Sequence, residues 1–217
     1  MKIVLLGATG FVGSALLAEA LNRGHEVTAI VRNVAKLQAK QGLTVIAGDV
    51  TNVDSLAANI AGHDALISAF NPGWTPGTVR SEMYDEQVQG TNAILAAIKK
   101  ANIKRVLWVG GAGGLEVAPG VLLIDSPDFP EWIKPGSRAT SEALEALRNS
   151  PELEWSFLAP AAMLEPGERT GKFRLGGDQL LTDEKGESRI SVQDYAVAMI
   201  DELEARKHIR QRFSVAY

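Results

Sequence analysis

Three glycines stand at intervals of three, within Gly7-Ala8-Thr9-Gly10-Phe11-Val12-Gly13. The apolar run 2–6 precedes them. Residues 12–23 follow, rich in Ala, Leu and Glu, with no breaker until Gly24. That arrangement reads as a strand, a tight turn and the opening of a helix. Each glycine has its own physical task there: Gly7 permits the turn, Gly10 leaves the backbone open to close approach, and Gly13 lets the helix pack against the sheet. Unpaired N–H groups at the helix start, reinforced by the helix dipole, then bind anionic phosphate. Glycine spacing alone is a weak signal. The strand before it, and the helix and second strand after it, make this loop a site for the pyrophosphate of a pyridine dinucleotide.

The end of the second strand bears on which dinucleotide. A carboxylate there would accept hydrogen bonds from the adenosine ribose and favour NAD. The chain instead reads Ile30-Val31-Arg32-Asn33. A guanidinium suits a 2′-phosphate, so NADP (NADPH) is expected over NAD, the plainer alternative being a solvent-facing Arg32. Gly48-Asp49-Val50 closes the third strand and is placed to meet the adenine. Asp49 serves equally well as a helix-entry residue.

Elsewhere the composition excludes more than it offers. Cysteine is absent, which removes disulfides, thiol nucleophiles and thiolate metal sites. His25, His63 and His208 are far apart, so no metal site is expected. The net charge is -4, and the basic run Arg206-Lys207-His208-Ile209-Arg210 reads as a solvated helix end or loop, so no nucleic-acid partner is expected. No apolar segment reaches membrane-spanning length, and the N-terminal run is too short for a signal peptide; a cytoplasmic location with no membrane partner is expected. Asp125, Asp128 and Glu131 read as turn residues beside Pro127 and Pro130. Trp108 and Trp155 fall inside strands and should pack in the core. Trp74 and Trp132 lie in loops, where packing and stacking on a flat substrate are equally open. Arg169 fits an internal ion pair better than an anionic ligand.

These residues are positioned by alternating short apolar runs and helical stretches. Strands are expected at 2–6, 26–31, 43–47, 65–69, 105–109 and 155–159, with smaller ones at 189–190 and 212–216. Helices are expected at 12–23, 33–40, 53–60, 83–101, 140–148 and from Ser191, as N-cap, to about 205. The pattern is α/β: a Rossmann-type, doubly wound, mostly parallel sheet in a single domain over 1–217. Loops 71–82, 110–137 and 164–186, rich in Gly and Pro, lie at or near strand ends and should form the substrate side.

With these residues in hand, the chain resembles the atypical short-chain dehydrogenase/reductase superfamily. More closely, it looks like the bacterial NADH–flavin reductases, relatives of NmrA-like proteins and of biliverdin reductase B, which also reduces flavins. Beyond residues 1–33, the resemblance rests on Gly110-Gly111-Ala112-Gly113-Gly114-Leu115 with Asp128-Phe129-Pro130, on Phe157-Leu158-Ala159-Pro160-Ala161-Ala162, on Glu165-Pro166-Gly167-Glu168-Arg169-Thr170-Gly171-Lys172 and on Ser191-Val192-Gln193-Asp194-Tyr195-Ala196. It implies that Ser68, Ala69, Phe70 and Asn71 border the nicotinamide ribose. Gly110, Gly111 and Ala112 would lie beside the nicotinamide, where typical members place a serine. Pro160, Ala161, Ala162 and Met163 would contact the carboxamide, and 111–135 would help form the substrate side.

The chain departs from that superfamily in its proton donor. Typical members use Tyr-x-x-x-Lys, in which tyrosine protonates a carbonyl and lysine lowers its pKa. Tyr84, Tyr195 and Tyr217 each lack a lysine four residues on; Arg138 stands nearest to the lysine position, and four before it is Lys134. No catalytic side chain is therefore assigned. A flavin needs no such acid, because hydride goes to ring nitrogen N5 and a proton can come from water. The expectation is an NADPH-dependent reductase of a flavin or similar flat small-molecule acceptor. The alternatives are a non-catalytic NAD(P)-sensing regulator of the NmrA-like type, and a quinone reductase. The oligomeric state is left open.

Overall fold

Continuous apolar runs that are buried on both faces belong to the middle of a parallel sheet, because helices must cover it on either side. The run at the N-terminus behaves this way: Ile3, Val4, Leu5 and Leu6 are all buried. The computed structural model describes residues 1–73 and 77–217. Its elements in chain order are β1 (Lys2–Leu6), α1 (Phe11–Asn22), β2 (Glu26–Val31), β3 (Leu43–Ala47), α2 (Val53–Ile60), β4 (Ala65–Ser68), α3 (Met83–Ala101), β5 (Arg105–Val109), β6 (Glu116–Ala118), β7 (Val121–Leu122), α4 (Lys134–Arg148), β8 (Glu154–Ala159), β9 (Met163–Glu165), β10 (Arg174–Gly176), β11 (Arg189–Ser191), α5 (Val192–Ala205) and β12 (Gln211–Ala216).

The main sheet runs β10-β12-β8-β5-β4-β1-β2-β3, parallel except for β10, which pairs antiparallel with β12 at one edge. Strand order reverses between β1 and β4, which is where such sheets open a crevice at their C-terminal edge. Two cores result. On one face α1 and α5 cover Leu5, Leu16, Ile67, Leu107, Tyr195 and Phe213; on the other, α2, α3 and α4 cover Val4, Leu66, Ile94, Trp108, Leu147 and Trp155. Trp108 and Trp155 are thus core residues, each 3% exposed.

Local signals set the helix ends. Asn52 caps α2 through Ser55 N–H at 3.1 Å, and Ser191 caps α5 through Asp194 N–H at 3.0 Å. Gly24, at φ +77°, turns the chain after α1.

Three expectations are corrected. The helix expected at 33–40 is a single 3-10 turn, Val34–Lys36, because none of its residues is buried and Leu37 alone in this stretch packs, partly, against the core. Helix α4 begins at Lys134, not 140; Pro135 sits in its first turn, where a missing N–H costs nothing. The loops after β5 and β8 contain short strands: β6 pairs with β7, β9 with β11, and β10 extends the main sheet.

Candidate dinucleotide site

At the switch point, Gly7 adopts φ +79°, and a Cβ there would lie 2.2 Å from the carbonyl oxygen of Ala69, just past β4. A Cβ on Gly13 would lie 2.0 Å from the carbonyl oxygen of Gly7. Both glycines are therefore demanded by the fold itself. Gly10 differs: it is exposed, and its Cβ would meet only Gly7 O, at 3.3 Å. Gly10 N–H donates to Gly7 O at 2.9 Å, and the first intrahelical bond of α1 runs from Ser14 N–H to Gly10 O. The N–H groups of Phe11, Val12 and Gly13 have no acceptor in the helix, and no side chain caps them. Thr9, Gly10 and Phe11 are exposed beside them. This cradle fits a pyrophosphate in charge, in donors and in open space.

Arg32 is exposed at the tip of β2 with no ion-pair partner among the described residues, and Asp49 is exposed at the tip of β3. Asp49 Oδ1 accepts from Thr51 N–H and from Thr51 Oγ1, both at 2.9 Å. Those two bonds, with a smaller contribution from the Arg32 charge, hold its carboxyl below the usual range. Asp49 thus performs a turn-forming task while lying near the arginine. Val50 is half-buried behind it.

On the other side of the crevice, Ser68 proves to lie below the rim. It is 1% exposed, and its Oγ is buried without a hydrogen-bond partner among the described residues. Ala69 and Phe70 are half-buried; the Phe70 ring packs where a Cβ on Gly90 would be, 2.2 Å away, and Asn71 Oδ1 accepts from Gly73 N–H at 2.8 Å. Beyond β5, Gly110, Gly111 and Ala112 are half-exposed. A Cβ on Gly110 would lie 2.3 Å from the Phe157 ring. After β8, Ala162 and Met163 are exposed, but Ala161 is 3% exposed and packs into the α1–α5 core, so its methyl faces away from the crevice. Trp132 is half-buried in the 3-10 turn leading to α4; Trp74 lies outside the described residues.

The helix face opposite this glycine turn identifies the available chemistry. Thr140 Cγ2 lies 3.5 Å from where a Gly111 Cβ would be, and Ser137 and Ser141 Oγ approach Gly113 and Gly114. Thr140 Oγ1 donates to Gly136 O at 2.8 Å and accepts from Gln87 Nε2 at 3.0 Å. Gly136, four before Thr140, is packed so that a Cβ would lie 2.6 Å from Met83 Cε. The α4 side chains nearest the turn are Ser137, Thr140 and Ser141, while Gly136 packs against α3. Arg138 is exposed. Tyr195 is wholly buried, its OH donating to Leu158 O at 2.8 Å; burial pushes its pKa up, outweighing the lowering by the Gly110 backbone.

Other sequence candidates fall elsewhere. His63 precedes β4 and so lies at the opposite edge of the sheet, lining a cleft of about 1020 Å³ with His25. Its Nδ1 lies 3.0 Å from Ile60 O and its Nε2 2.9 Å from Thr28 Oγ1, so neither nitrogen is available for the hydride site. Arg169 forms a bidentate pair with buried Glu19 at 2.7 and 2.8 Å. Asp125 and Asp128 are exposed, and Glu131 pairs with Lys134. In the basic run, Arg206 pairs with Glu154, while His208 stacks on Phe213 at 4.1 Å and meets Glu202 at 2.8 Å. Sequence reading missed Ser188, buried just before β11, because no local pattern marks it. Among the described residues no cluster of three His, Cys, Asp or Glu could hold a metal, and no helix is long and apolar enough to cross a membrane.

Fold and crevice together define a Rossmann-type oxidoreductase fold built around an NAD(P)H site. The chain belongs to the NAD(P)H-binding family, whose model matches residues 7–203. It is 40% identical to the uncharacterized protein YwnB of Bacillus subtilis, over 99% of this chain and 98% of that one. Among solved structures, a "putative epimerase" from Bacteroides thetaiotaomicron superposes with a TM-score of 0.91 at 49% identity, covering 100% of this chain and 96% of that one. A "putative NADH-flavin reductase" from Streptococcus pneumoniae superposes with a TM-score of 0.85 at 37% identity, covering 100% and 99%.

Proposed function

We propose that this protein is an NADPH-dependent reductase of a flavin or a similar flat conjugated acceptor. One observation carries the reading: the α4 face that meets the Gly110–Gly114 turn offers the hydroxyl side chains of Ser137, Thr140 and Ser141 and no tyrosine–lysine pair to serve as proton donor. Bound NADPH would supply a hydride, with the proton coming from solvent.

The chain's residues would supply position. The α1 N-terminus and Gly10 would hold the pyrophosphate, and Arg32 the 2′-phosphate. Gly110, Gly111 and Ala112 would leave the nicotinamide side clear for a flat ring, with Met163 and Trp132 at its borders. Trp74 is kept as a stacking candidate on its sequence position alone. Effective molarity from orientation is the main catalytic resource left to such a site. The name borne by the Bacteroides relative implies acid–base work at carbon, and this α4 face does not provide it. The Streptococcus relative's name agrees with the acceptor proposed here.

The test is anaerobic NADPH oxidation with FMN, FAD, riboflavin, a quinone and an aldehyde in turn. Turnover with a flavin or quinone and none with the aldehyde is expected. Turnover with the aldehyde alone would refute the reading. Tight NADPH binding without turnover on any acceptor would favour the NAD(P)-sensing regulator.

A further inference from the structure

Two sequence motifs left without a task, 165–172 and 191–196, are interlocked in space. The segment leaving β8 is held along its length by the segment that opens α5. Ala162 N–H donates to Ser188 Oγ at 3.1 Å, and Met163 N–H to Ser188 O at 2.9 Å. Strand β9 then pairs in parallel with β11, Met163 opposite Arg189 and Glu165 opposite Ser191. Further on, Gly167 N–H donates to Gln193 Oε1 at 2.9 Å, and Ser191 Oγ donates to Glu168 O at 2.7 Å. Asp194, fully buried, ends the series: it accepts from Thr170 Oγ1 at 2.6 Å, from Gly171 N–H at 2.7 Å and from Tyr217 OH at 2.8 Å.

The other wall is tied to the same helix. Leu158 O accepts both Gly110 N–H and Tyr195 OH, each at 2.8 Å, so the exits of β5 and β8 are joined over the first turn of α5. The crevice geometry says what these walls enclose. A dinucleotide lies across the switch point. With its adenosine half over β2 and β3, its reacting half extends over β4, β5 and β8. Ala162 and Met163 are the exposed residues at the end of β8.

We propose that Ser188 and Asp194 are positioning residues that fix the 160–171 wall and thereby determine which face of the nicotinamide is presented to the acceptor. The proposal rests on the dinucleotide reading above and deepens it. Ser188 acts directly, because its hydroxyl is the acceptor for Ala162 N–H at the rim. Asp194 acts at the far end, where three donors converge on one carboxylate. Neither residue reaches the adenosine half, so the two halves of the cofactor should respond differently to their loss.

The experiment compares binding of NADPH and of 2′-phospho-ADP-ribose, which lacks the nicotinamide, to wild type, Ser188→Ala and Asp194→Asn. It is joined to deuterium transfer from NADPH labelled on one or other face of nicotinamide C4. Melting curves identify any variant that fails to fold. Ser188→Ala, which removes one hydroxyl, is the milder of the two, and Thr170→Val tests the Asp194 end from the strap side. Expected is fragment affinity within about twofold of wild type, with the added affinity of whole NADPH reduced roughly tenfold. Transfer should change from one face to a mixture of both. Equal weakening of both ligands, or unchanged NADPH affinity with single-face transfer in folded Ser188→Ala, overturns the proposal. A wild type that binds the fragment as tightly as NADPH overturns it while leaving the dinucleotide site intact. A wild type that binds neither refutes the dinucleotide reading itself.

Discussion

Arg32→Ala should weaken NADPH selectively. The guanidinium is exposed at the tip of β2 and forms no ion pair among the described residues. It is thus free to meet a 2′-phosphate without breaking an existing contact. A hydrogen bond to a charged group contributes roughly 1.5–3 kcal/mol. Two features of this site place the value at the low end. Exposed pairs are screened by solvent. Asp49 lies close enough for its carboxyl to feel the Arg32 charge, so it would also feel a phosphate. About 1.4 kcal/mol is a factor of ten, so Arg32→Ala should raise the Kd for NADPH about tenfold and leave NADH nearly unchanged. Asp49→Asn should act the other way, strengthening NADPH a few-fold. Titration calorimetry with both cofactors, at low and high salt, measures these effects. Equal weakening of NADPH and NADH by Arg32→Ala would show that Arg32 is structural and that the expected preference for NADP is wrong.

Further perturbations separate fold from chemistry. Gly10→Val should remain folded, since Gly10 is exposed, yet lose dinucleotide binding; wild-type affinity in the folded variant would sink the assignment of the loop. Gly13→Ala, in contrast, should fail to fold stably, because its Cβ would sit 2.0 Å from Gly7 O; an unchanged melting temperature would contradict this. Tyr84→Phe and Tyr195→Phe should each leave turnover within a few-fold, as Leu158 O keeps its bond from Gly110 N–H. A loss of about a hundredfold, typical of a removed general acid, would show that a proton donor is needed. Glu202→Gln should destabilise by about 3–5 kcal/mol, because Arg105, buried with it at 2.9 Å, would lose its counter-charge. Burial opposes ionisation of Glu202, but bonds from His208 and Ser156 and the Arg105 charge hold its pKa below the usual value. A carboxyl lowered in the folded state gives stability that is full above its unfolded pKa and lost as pH falls through the folded one. Acid unfolding of the wild type should therefore be steeper than that of Glu202→Gln; parallel acid limbs would argue against this role.

The parts of this molecule written in local sequence were legible there. The glycine loop, the alternation of strands and helices, and Ser191 as an N-cap all depend on neighbours within a few residues. So did the absence of a tyrosine–lysine pair, which is a statement about spacing. Contacts between distant segments were not legible. Nothing near Ser188 announces that its hydroxyl meets Ala162 N–H, and nothing in Glu165 to Lys172 names Asp194 as its anchor. The α4 register shows the same limit. Reading by spacing put Arg138 nearest the lysine position, but helix packing brings Ser137, Thr140 and Ser141 to the glycine turn and leaves Arg138 exposed. Helix 33–40 failed for the opposite reason: its residues permit a helix, but too little of it packs on the core to stabilise one.

The central claim, hydride transfer from NADPH to a flat acceptor, is tested most directly by stopped-flow absorbance at the reduced nicotinamide band. The experiment mixes the protein–NADPH complex anaerobically with FMN, FAD, riboflavin and a quinone in turn. It is then repeated with NADPH deuterated at nicotinamide C4. The account predicts rapid oxidation with at least one of these acceptors, slowed by deuterium. Tight NADPH binding with no oxidation by any of them would contradict it.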